Sequence, residues 1–221
     1  MDRIKNVNTE NEVIAIPDGY PGINNEFFKR MLTFHGIPII APYFVGDYAL
    51  MEARYLMSRV LEKCDHRISP MKQSNLYIAI VSKHQGLFDP TLENANYIVV
   101  DESSVLRDNT RSTLIHEIGH ALHHTLTSYE KRQIQSLYEK SAQYYNPSAY
   151  AVTNTYEYFA EGFSAYFNAG TPSEKIHNRT QLLAFDNSLF NYIEAIIGKN
   201  DFNWTPVTDR LTQPHLRGYT P

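Results

Sequence analysis

The sequence holds a single cysteine, Cys64, among 221 residues. That excludes an internal disulfide framework, cysteine-rich zinc knuckles and an iron–sulfur cluster. No apolar run approaches the roughly 18 residues of a membrane span. The best stretch, residues 37–45, is broken by Pro38 and Pro42 and carries Tyr43. The opening Met1-Asp2-Arg3-Ile4-Lys5-Asn6 lacks the apolar segment of a signal peptide, so the expectation is either a cytosolic chain or a mature form whose signal has been removed. Positive charge is not in excess either: 20 Lys+Arg against 24 Asp+Glu give a net charge of −4. No field exists to condense on phosphates, and no nucleic-acid partner is expected. Repeats, low-complexity tracts and charged blocks are missing as well.

What is present is enough apolar material for a core, 43% of the residues. One domain spanning 1–221 is expected, with a sheet-containing N-terminal subdomain over 1–105, a helical subdomain over 106–198 and an irregular tail over 199–221. Asn24 to His35 reads as a short helix ended by Gly36. Ile37 to Ala41 reads as a strand that Pro38 confines to an edge or a first position. From Asp47 to about Cys64 apolar residues recur at helical spacing. Leu76 to Val81 and Tyr97 to Val100 read as strands, joined by a loop with Gly86, Asp89 and Pro90. From Thr110 the pattern turns helical: Thr110 to Thr127, Tyr129 to Tyr145, Thr155 to Phe167 and Ser188 to Ile197, with Gly170 and Gly198 as caps. A small mixed sheet with helices, followed by a helical second half, is an α+β arrangement.

The segment that carries chemistry is Ser112-Thr113-Leu114-Ile115-His116-Glu117-Ile118-Gly119-His120-Ala121-Leu122, an H-E-x-x-H pattern. On a helix, His116 and His120 lie one turn apart on one face, where two neutral imidazoles chelate one zinc ion. Glu117, rotated about 100° from His116, stands beside the ion, placed to act as a general base on water. Gly119 costs helix propensity, which a crowded site explains.

A catalytic zinc site needs a third protein ligand and an open position. The metzincin extension fails, because position 123 is His and position 126 is Leu. His123 and His124 read as solvent-facing or supporting residues, since His124 lies two turns beyond His116. A downstream helix, Tyr156-Glu157-Tyr158-Phe159-Ala160-Glu161-Gly162-Phe163, offers the third source. Glu157 and Glu161, a turn apart, repel each other unless cationic charge sits nearby. Glu157 is the expected third ligand. Glu161 is expected to accept a hydrogen bond from the outer nitrogen of a ligating histidine, His116, fixing its tautomer.

At these residues the chain resembles the anthrax lethal factor-like zinc metallopeptidases, a family that includes the smaller Pro-Pro endopeptidases. The resemblance covers about residues 105 to 195 and implies a zincin-type fold with the H-E-x-x-H helix between the sheet and the helical half. It also implies that Tyr150, seven residues before Glu157, points its hydroxyl at the reacting carbonyl. The implied activity is a gluzincin-type zinc endopeptidase acting on a peptide or protein substrate, secreted and toxin-like, with a monomer as the expected state. An extended substrate is expected to lie along the Tyr97–Val100 edge. Two alternatives stand beside it: an intracellular regulatory protease similar to the ImmA/IrrE group, and a non-catalytic zinc-stabilised binding or toxin module. Retention of Glu117 counts against the binding module, since a structural site has no use for a general base. Cys64 reads as an inert buried thiol, and His35, His66, His84, His177 and His215 as ordinary usage. Asn178-Arg179-Thr180 and Asn203-Trp204-Thr205 match glycosylation acceptors by composition alone.

Overall fold

A computed structural model of the chain describes residues 12–82 and 97–220. Five strands form one sheet in the order β1 (Ile14–Ala15), β2 (Arg30–Phe34), β3 (Ile37–Ala41), β4 (Tyr77–Val81) and β5 (Tyr97–Asp101). β1, β2 and β3 pair antiparallel, whereas β3, β4 and β5 run parallel. Both faces are covered. Leu32, Phe34, Ile39, Ile78, Ile80 and Ile98 join the main core, while Met31, Ile40, Ala79 and Val81 pack with Phe28 on the other face. The α+β expectation holds.

The short helix expected over Asn24 to His35 is not formed. Phe27 and Phe28 donate back to the Asn24 carbonyl in a turn, and β2 then begins at Arg30. The cause is local: His35 and Gly36 take φ of 48° and 79°. Two consecutive left-handed residues make a two-residue hairpin turn, which pairs Phe34 with Ile37. Gly36 is therefore a hairpin glycine, not a helix cap. Nor is β3 an edge strand. Hydrogen-bonded pairs alternate along the hairpin, so Pro38, opposite Thr33, turns its missing donor toward β4, and β4 pairs with β3 only from Ile39 onward.

Helix α1 (Asp47–Val60) buries Ala49, Leu50, Ala53, Leu56, Met57 and Val60. It stops short of Cys64, and a second helix, α2 (Asp65–Gln73), follows with Pro70 inside it. Cys64 is buried at this junction and burial pushes its thiol up to about 11, which leaves it unreactive as expected. The expected Gly86, Asp89 and Pro90 loop lies outside the described residues. After β5 come α3 (Glu102–Leu106), α4 (Thr113–Thr125), α5 (Ser128–Ser141), α6 (Thr155–Tyr166), α7 (Arg179–Phe185) and α8 (Asn187–Ile197). Gly198, φ 76°, caps α8 as expected. Gly170 does not cap α6: Asn168 takes the left-handed conformation there, and Gly170 lies against the His177 backbone, where a Cβ would come within 2.7 Å of the carbonyl oxygen. Among the described residues no helix is long and apolar enough to cross a membrane.

The segment after α8 is irregular apart from short turns at Val207–Arg210 and Pro214–Leu216, yet it is more than a surface strap. Arg210 is buried and donates to both carboxylate oxygens of Glu52, at 2.7 and 3.2 Å; Glu52 itself is fully buried on α1. His215, read as ordinary usage, lies 2.8 Å from the same carboxylate and stacks on Tyr55.

Candidate metal centre

The H-E-x-x-H residues sit on α4, whose N-terminus is capped by Ser112 accepting from the Ile115 N–H. The Ser112 N–H in turn donates to the Ala169 carbonyl just past α6, so the start of one helix is tied to the end of the other. Leu114, Ile115, Ile118, Ala121 and Leu122 bury the apolar stripe. Where the helices cross, a Cβ on Gly119 would lie 3.1 Å from the Ala160 Cα and 3.2 Å from Phe163. Only glycine lets the two backbones approach this closely. α6 starts at Asn154, whose side chain accepts from the Tyr156 and Glu157 N–H groups. It is buried almost continuously from Tyr158 to Tyr166. The Tyr158 and Tyr145 hydroxyls donate to buried Asp186, which also caps α8.

This crossing brings three donor atoms together. His116 Nε2 and His120 Nε2 are 3.0 Å apart, and Glu157 Oε2 lies 3.2 Å from each. His116 Nδ1 donates to Glu161 Oε1 at 3.1 Å, so the lone pair of the neutral imidazole sits on Nε2 and faces the other two donors. Glu157 Oε2 is buried without a hydrogen-bond partner. Tetrahedral chelation at ~2.0–2.1 Å implies donor separations of roughly 3.3–3.4 Å, close to those observed. Two imidazoles and a carboxylate, with a partnerless buried oxygen among them, fit a zinc ion. Among the described residues this is the one group of three such side chains close enough to hold a metal.

Glu117 follows on the same helix, and its pKa is raised: burial and the Glu157 charge push it up, against a smaller lowering by His116. Burial lowers the His116 pKa, but the Glu161 hydrogen bond and charge, with Glu117 and Glu157, outweigh it, and the net shift is upward. His120, with burial and the His116 charge against it, shifts down. Tyr150 stands in a 3-10 turn (Tyr150–Val152), half exposed, its ring 6.1 Å from that of His116. Burial and the nearby Glu157 charge raise its pKa, so the phenol stays protonated. Every site residue expected from the sequence, His116, Glu117, His120, Tyr150, Glu157 and Glu161, thus converges on one cleft.

Of the two readings of His123, the solvent-facing one fails. The side chain is buried against Tyr156 and Phe159, outside the donor triangle, and burial drops its pKa to about 4, so it stays neutral. His124 is exposed. Arg111, Ser164 and Thr171, none of them part of the expected site, line the cleft beside Glu117. One signal was available: Ser164 lies seven residues after Glu157 and three after Glu161, on the same face of α6.

The family model described as anthrax toxin lethal factor, N- and C-terminal domain, matches residues 71–196. No curated protein matches the chain. Among solved structures, the Pro-Pro endopeptidase from Paenibacillus alvei is 15% identical, with a TM-score of 0.48, over 72% of this chain and 96% of that one. Because the matched segment spans more than half of the sequence and includes both helices of the cleft, the chain belongs to the anthrax toxin lethal factor domain family.

Proposed function

We propose that this chain is a zinc-dependent endopeptidase of a peptide or protein substrate. The observation that carries the reading is the triangle of His116, His120 and Glu157 donor atoms, 3.0 to 3.2 Å apart, with Glu117 beside it. Family membership supports a metalloendopeptidase at the coarser level. His116, His120 and Glu157 would hold the ion, and Glu161 keeps His116 in the tautomer that presents Nε2. When bound, zinc supplies Lewis acidity toward a carbonyl and lowers the pKa of water toward neutrality.

The chain's own residues do the rest. Glu117 takes a proton on its carboxylate as water attacks and returns it to the leaving amine. Tyr150, kept protonated, donates its hydroxyl toward the oxygen on which negative charge develops. β5 ends the described sheet on the side next to α4, and an extended substrate along it would gain main-chain hydrogen bonds.

Zinc content and peptide-library cleavage, measured for the parent and for Glu117→Gln, test the reading. Both proteins should carry one zinc, and the variant should lose about 10²–10⁴-fold in kcat. No stoichiometric zinc, or equal cleavage by the two proteins, defeats the proposal.

A further inference from the structure

Beside the donor triangle the cleft deepens into a pocket of about 260 Å³, walled on one side by His116 and Glu117. That is below the roughly 300–1,000 Å³ of pockets that engulf a whole small ligand, so it suits a single side chain. Its other walls are rich in donors. Ser164 is only 2% exposed, and its hydroxyl has no hydrogen-bond partner. Native proteins rarely leave a buried hydroxyl so, which marks it as a donor awaiting an acceptor. Arg111 stands at the pocket wall, with Nη1 donating to the Thr171 hydroxyl at 3.3 Å and Nε 3.6 Å from Asp108. Thr113 opens α4, so the positive end of that helix dipole lies at the same wall.

The carboxylates nearby are already engaged. Glu161 accepts from His116, and Asp108 accepts from Thr110 and the Arg111 N–H. Glu117 is the proposed base. A cation, a helix N-terminus and an unused hydroxyl around one side-chain-sized space select an anionic acceptor.

We propose that this pocket is the subsite for an acidic side chain of the substrate, Asp or Glu, flanking the bond to be cut, its carboxylate gripped by Arg111 and Ser164. Its identification as a substrate subsite rests on the proteolytic reading above; the acid-binding chemistry does not.

A cleavage profile from a random peptide library, taken with the zinc-loaded protein, should show Asp and Glu enriched at one position beside the cut. Arg111→Glu should lower kcat/KM for those peptides at least about tenfold more than for peptides neutral at that position and bring in Lys or Arg there. Ser164→Ala should weaken acidic peptides without lowering Tm, since it removes an unsatisfied hydroxyl, whereas a hydroxyl of purely structural value would lower Tm when lost. Cleavage without acidic enrichment, or an unaltered profile in Arg111→Glu, overturns the subsite and leaves the protease standing. If nothing is cleaved, the protease reading falls. Fluorescence anisotropy with labelled peptides differing only in Glu, Gln or Leu then decides the pocket: tighter Glu binding that Arg111→Glu abolishes supports it, and equal binding of all three overturns it.

Discussion

Where α4 crosses α6, contact is achieved by removing a side chain: Gly119 lets the Ala160 backbone come so near that a Cβ would sit 3.1 Å from it. Where the C-terminal segment meets α1, contact is achieved by burying charge: Glu52, fully enclosed, is held by Arg210 and His215. The first attachment is non-polar and geometric. It tolerates changes of ionic strength but not of volume. The second is electrostatic and tolerates modest changes of volume, but not the loss of either partner, because an unpaired charge in a low-dielectric site is costly. The donor triangle sits at the geometric attachment, supported there by the Ser112 to Ala169 backbone bond and the His116–Glu161 contact, and not at the buried charge cluster.

The largest effect should come from breaking the charged attachment. Glu52→Ala strands the Arg210 guanidinium and should cost about 3–5 kcal/mol, seen as a lower denaturation midpoint and as new proteolytic cuts after Ile197. Zinc affinity of the fraction still folded should be unchanged, which would sharpen the contrast; a parallel loss of zinc would show the two attachments to be coupled. Gly119→Ala should act in the opposite way. Overpacking costs about 1–3 kcal/mol, and the roughly 1 kcal/mol gained in helix propensity offsets part of it. The net loss of stability should be small while zinc binding weakens, because the wedge separates His116 and His120 from Glu157. Titration with a chelator would reveal this, and unchanged affinity would deny the crossing its role. The smallest effect concerns His123, which packs on α6 uncharged. Its folded pKa of about 4 lies below the unfolded value of about 6.5. The unfolded chain therefore binds a proton first, and the stability His123 confers is complete above pH 6.5 and declines as pH falls toward 4. His123→Phe should flatten that part of the stability profile; a slope unaltered by the substitution would place the pH dependence elsewhere.

Much of the cleft was legible because its residues recur at helical intervals within two short segments. Spacing of four puts His116 over His120, and the same spacing puts Glu157 beside Glu161. What periodicity could not supply was anything decided between distant segments. His35-Gly36 read as a helix stop because a glycine after an apolar stretch serves either a cap or a hairpin, and pairing with β3 chose the hairpin. α2 escaped notice because its Pro70 and its weakly amphipathic, polar sequence carry little helical signal. His123 looked solvent-facing because nothing in its own helix foretold that Tyr156 and Phe159 would cover it. The Glu52–Arg210 pair spans 158 positions, beyond the reach of any local pattern.

That separation sets an order of events at the ribosome. Glu52 emerges 158 residues before Arg210, and through that interval α1 carries a carboxylate destined for the interior with no counter-ion to accompany it. The nascent sheet and its first helix therefore have a reason to stay hydrated and loosely docked until Arg210 arrives. Capture of Arg210 then locks the N-terminal half after α4 and α6 have already been made.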